Sequence, residues 1–188
     1  MRWTARLLIG FSTLLIALGA LALPASAASV TATDPKGDGL PPADIRALRI
    51  TQDGPELAIR IRTEGPLNLT TAPAWHTTGS KTLLRIWLDT TNATAGPDFV
   101  VRIFTENGDA KATLVNLHER ARLVTCVTSR PQPQLTMIEL GVAFGCLETV
   151  GPIRAAASYR FDKRGDGTVN SIDRAPNHGQ SPALHLEA

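Results

Sequence analysis

Along residues 162–173 the chain carries oxygen-bearing side chains at intervals that suit a hard cation. With Asp162 as position 1, Asp166 stands at position 5, Asn170 at 9 and Asp173 at 12, and Gly167 occupies position 6. A chain that wraps calcium supplies oxygens at such intervals, adds a backbone carbonyl at position 7 and turns sharply at the glycine. The expected ligands are therefore Asp162, Asp166, Thr168 (through its carbonyl), Asn170 and Asp173, and the expected cofactor is Ca2+. Two residues depart from the usual pattern. Arg164 brings a cation to position 3, where an oxygen normally sits, and Pro176 blocks the helix that would leave the loop. The competing reading is an acidic Gly-Asp-Gly turn.

A second set of carboxylates, Asp34, Asp38 and Asp44, gathers around Gly37 and Gly39. These three either form a second calcium site or cap local amides, and the sequence leaves both open. Carbohydrate binding needs an aromatic platform. Trp75, beside Pro73 and His76 in a polar stretch, is the candidate for an exposed one, with core anchoring as its alternative, whereas Trp87 reads as core. No catalytic set emerges. His118-Glu119 begins like a zinc-protease helix, but Arg122 stands where the second histidine belongs. No Gly-x-Ser-x-Gly elbow or phosphate-binding glycine loop is present.

The N-terminus reads as an export signal over 1–27. Arg2 and Arg6 precede an apolar run over 7–23, and Ala25-Ser26-Ala27 makes a small-x-small cleavage site. No second long apolar run follows, so no membrane span is expected after cleavage. Without Arg2 and Arg6, the 19 basic residues become 17 against 17 acidic ones. That balance gives no warrant for nucleic-acid binding. Cys126 and Cys146, the only cysteines, are expected to form one disulfide in an oxidising compartment.

These side chains must be positioned by strands. Short alternating segments broken by Gly, Pro, Asn and Asp recur at 29–33, 45–51, 57–62, 83–88, 99–104, 112–117, 123–128, 135–142 and 153–161. The expected fold is all-β, a single antiparallel two-sheet β-sandwich over 28–188, immunoglobulin-like or jelly-roll-like. Arg130-Pro131-Gln132-Pro133-Gln134 reads as a hairpin connection, which sets Cys126 opposite Met137 or Ile138. The disulfide should then draw the segment after the strand onto the sandwich rather than cross-link the hairpin.

Two resemblances bear on function. The 162–173 segment resembles the calcium loop of dockerin modules, although a single loop does not carry cohesin binding with it. Asp34-Pro35-x-Gly37-Asp38 leading to Asp44-Ile45, then Asp53-Gly54, Glu56-Leu57-Ala58-Ile59 and Ile86-Trp87-Leu88-Asp89, resembles secreted carbohydrate-binding-type β-sandwiches of the DOMON superfamily. That likeness implies a secreted, non-catalytic binding or scaffolding module whose partner is a glycan or a cell-envelope component. The alternatives are a secreted hydrolase whose carboxylates converge only in the fold, and a structural envelope protein.

Overall fold

Strand alternation decides which residues meet in the interior. In β2 (Ile45–Asp53) Leu48 and Ile50 point inward, and in β3 (Glu56–Thr63) Leu57, Ile59 and Ile61 do, while Arg49 and Arg60 face solvent. In β4 (Leu83–Asp89) the inward set is Leu84, Ile86 and Leu88, and in β5 (Phe99–Glu106) it is Phe99, Val101 and Ile103. The two inward faces meet in one hydrophobic cluster, the arrangement that a period-2 pattern on both sheets demands.

The computed structural model describes residues 28–188 except 70, 92–95, 108, 128–131, 135, 148–150 and 187–188. The export signal expected over 1–27 lies outside the described residues. The other strands are β1 (Ser29–Thr33), β6 (Asp109–Asn116), β7 (Ala121–Leu123), β8 (Gln132–Gln134), β9 (Met137–Ala143), β10 (Arg154–Phe161) and β11 (Ser171–Ala175), with one short helix, α1 (Pro73–His76). A five-stranded sheet runs β1-β2-β3-β9-β8 and a six-stranded one β11-β10-β4-β5-β6-β7, all pairs antiparallel. The protein is a two-sheet β-sandwich.

Local departures from the expected strands have local causes. Gln132, Pro133 and Gln134 are not the hairpin connection; they form edge strand β8, with Gln134 paired to Met137. Pro133 is tolerated there because an edge strand leaves one row of amides without ladder partners. After β7 the chain turns through a 3-10 segment (Val124–Cys126), and Val127 bridges Val142 of β9 in the other sheet. Cys126 and Cys146 are disulfide-bonded, joining that turn to the one after β9 (Phe144–Cys146). The bond thus ties the edge of one sheet to the other, as a segment drawn back onto the sandwich. β11, within the stretch read as a calcium loop and tail, is an element the sequence reading did not anticipate.

Candidate metal and ligand site

Register places Asp173. β10 and β11 pair Tyr159 with Asp173, so Asp173 faces inward like Ala175 while Ile172 and Arg174 face out. At the sheet edge its carboxylate reaches the start of β2. The Ile45 N–H donates to Asp173 Oδ2 at 2.5 Å, and the Arg174 N–H donates to Oδ1 at 2.7 Å. The N-terminal loop lies directly above. A Cβ on Gly39 would stand 3.2 Å from Asp173 Cβ and 3.1 Å from Asp44 Cα, so the loop passes this closely because that residue has no side chain. Gly37 turns the loop at φ +94°, a conformation that side chains disfavour.

This approach brings oxygens of Asp34, Asp38 and Asp173 within 4.8 Å of one another, the only such acidic group among the described residues. Two oxygens on opposite sides of a calcium ion, each bound at about 2.3–2.6 Å, would be separated by about this distance. Asp34 and Asp173 are buried and Asp38 is at the rim. Asp34 Oδ2 is buried with no hydrogen-bond partner, and so is Oδ1 of Asp44, whose Oδ2 accepts the Gly37 N–H at 2.8 Å. A buried carboxylate oxygen without a hydrogen-bond donor, as Asp34 Oδ2 is within this group, is one that a cation could satisfy. Burial raises the Asp173 pKa to about 6, with Asp38 and Asp34 adding to the rise against the two backbone hydrogen bonds. Burial likewise raises Asp34, followed by repulsion from Asp38; Arg46 opposes this but also pairs with Glu64 at 3.5 Å.

The calcium-like segment divides between this cluster and a hairpin turn. Asp162 lies past the end of β10 while Asp173 sits back beside Tyr159, three residues along the strand, or about 10 Å. Asp162, Asp166 and Asp173 therefore do not gather as Asp34, Asp38 and Asp173 do. The turn uses its oxygens on backbone. Asp162 Oδ2 accepts from Gly167 N–H at 2.7 Å and Lys81 N–H at 3.1 Å, Asp166 Oδ1 from Thr168 N–H at 2.9 Å, and Asn170 Oδ1 from Lys163 N–H at 2.7 Å. The hydrogen bonds to Thr168 hold the Asp166 carboxyl below its ordinary pKa. One oxygen of Asp162, Oδ1, is buried without a partner.

Of the two readings of Trp75 the core anchor holds, and Trp87 departs from its expected place in the core. Trp75 is not an exposed platform: it is 0% exposed, because α1 turns its ring under the sheet and against Tyr159, with centroids 5.9 Å apart. Trp87 is not core. It shares the outward side of β4 with Arg85 and is half-buried in a recess of about 380 Å³, beside Ala156, Arg174, Pro176, Asn177 and Gln180. Asn177 joins this recess to the acidic cluster. Its side-chain amide donates to Asp38 Oδ2 at 2.7 Å and its N–H to Asp34 Oδ1 at 3.2 Å.

His118, unassigned by sequence, puts Nε2 at 2.8 Å from Oδ1 of buried Asp98, whose Oδ2 accepts from the Thr90 hydroxyl at 2.9 Å. The pair buttresses the β4–β5 connection. No family model, curated protein or solved structure matches this chain.

Proposed function

We propose that this protein is an exported, non-catalytic glycan-binding module whose binding face is braced by a calcium ion. The observation that carries the reading is the double role of Asn177, which lines the Trp87 recess and also bonds Asp34 and Asp38. A half-exposed indole can take the C–H face of a sugar ring, while the amides of Asn177 and Gln180 and the guanidinium of Arg174 offer hydrogen bonds to hydroxyls. Calcium held by Asp34, Asp38 and Asp173 would fix Asn177, which bonds two of them, and with it the recess wall. The likeness to DOMON-type sandwiches agrees with this role. Among the described residues no carboxylate lines the recess, which favours binding over acid–base hydrolysis there.

Calorimetric titration of calcium into the protein tests the metal. One site with a dissociation constant on the order of 10⁻⁴–10⁻³ M is expected, the weak range of extracellular modules. Heat that is unchanged in Asp34→Asn, or absent in the parent protein, would remove calcium from the account.

A further inference from the structure

Beside the Trp87 recess, on the same outward face of the six-stranded sheet, lies a second recess of about 350 Å³ lined by Lys81, Leu83, Arg85, Arg102, Phe104 and Arg160. Among the described residues no carboxylate lines it. Register explains the convergence. Arg85 of β4 is the direct cross-strand partner of Arg102 on β5, and Arg160 of β10 faces Leu83, two residues from Arg85 on the same side. Like charges placed directly opposite one another oppose sheet formation unless something neutralises them. Among the described residues nothing neutralises them, for none of these four cationic side chains makes an ion pair or hydrogen bond there. Burial lowers the Arg85 pKa, and repulsion from Arg160 and Arg102 adds to the effect.

Residues 28–188 carry as many acids as bases, so the positive charge here is a local feature, unlike the broad basic footprint of a nucleic-acid binder. Arginine forks match planar and tetrahedral oxyanions, and apolar Leu83 and Phe104 flank them in the recess. Trp87 stands two residues from Arg85 on β4, about 7 Å along the strand, or little more than one sugar unit away. We propose that this recess binds the sulfate or carboxylate group of an anionic polysaccharide whose neighbouring sugar lies on Trp87. This inference rests on the glycan reading of the Trp87 recess and specifies the ligand class.

The test measures retention of the full protein by immobilised dextran sulfate, polygalacturonate, neutral dextran and duplex DNA. Arg85→Gln/Arg102→Gln and Trp87→Ala are run alongside, all at fixed salt. Binding to dextran sulfate or polygalacturonate, but not dextran, is expected, and the more tightly held of the two identifies the substituent. The arginine variant should weaken it on the order of tenfold or more. The same variant should melt no lower than the parent, since it removes mutual repulsion, so lost binding is not lost folding. Unchanged affinity in that variant overturns the proposal, as does DNA bound as tightly with the same arginine dependence. Arginine dependence without Trp87 dependence retains the oxyanion recess and removes the sugar platform; Trp87 dependence alone does the reverse and overturns the inference.

Discussion

Asp38→Asn is expected to change sign with calcium. Without metal, Asp38 is a rim carboxylate whose oxygens lie within 4.8 Å of those of Asp34 and Asp173. At that separation a like-charge pair costs about 0.9 kcal/mol in a water-like dielectric, and physiological salt roughly halves it. Two such pairs give about 1 kcal/mol, or about 2–4 °C in melting temperature for a chain of this size. Asparagine keeps an oxygen to accept the Asn177 amide, so the variant should melt above the parent in chelator. In about 10 mM calcium, a dissociation constant of about 10⁻⁴–10⁻³ M stabilises the parent by about 1.4–2.7 kcal/mol. The variant, short of one carboxylate, should gain little and melt below the parent. A further arm is pH in chelator. The folded-state pKa of Asp173, about 6, is raised above its ordinary value, so the folded protein holds that proton more tightly. Parent stability should therefore fall as pH rises from about 4 to 6 and recover with calcium above that window. Paired thermal melts with and without calcium make the measurement. A variant less stable than the parent in both conditions would refute the repulsion argument, and parallel curves would refute the metal.

Trp75→Ala should cost about 3–5 kcal/mol by emptying the space against Tyr159, whereas Trp87→Ala should change the denaturation midpoint little; equal losses in denaturant melts would contradict the contrasting roles of the two indoles. Replacing Cys126 and Cys146 by alanine should lower stability by about 2–4 kcal/mol, read in urea, and no loss would mean the link between the sheets is slack. Gly165→Ala should destabilise strongly, since φ is +69° and a Cβ would stand 2.6 Å from the Pro73 carbonyl oxygen; a neutral result would free the 162–170 turn from its packing on α1. Exported material should begin at Ala28, checked by N-terminal sequencing, and an intact 7–23 stretch in a membrane fraction would oppose cleavage.

Much of the sandwich is legible because alternation is a local signal. Leu57, Ile59 and Ile61 mark β3, and Ala155, Ala157, Tyr159 and Phe161 mark β10, without reference to any distant residue. β4 is harder to read, being apolar on both sides apart from Arg85 and the terminal Asp89, and only Arg85 lies within the apolar run. Arg85 held the missing information. Arg85 must face out, Trp87 shares its side, and so the indole is a surface group while Leu84, Ile86 and Leu88 fill the core. Trp75 stays open between platform and anchor in the sequence because α1 is too short to show a helical period and its polar neighbours suggest a loop. The acidic cluster is a tertiary fact. Asp34 and Asp173 lie at opposite ends of the sequence, and only the β11 register and the bare Cα of Gly39 bring them together. β11 itself was hidden beneath an oxygen spacing that suits a metal loop but also suits a hairpin turn followed by a strand.

The central claim is that the face around Trp87 binds glycan and is braced by calcium through Asn177. The most direct measurement is glycan-array binding of the full protein, in about 5 mM calcium and in chelator, beside Trp87→Ala. The account predicts binding to a restricted set of glycans, weakened on the order of tenfold by chelator and lost in Trp87→Ala. An array bound equally by parent and variant, or by neither, would contradict it.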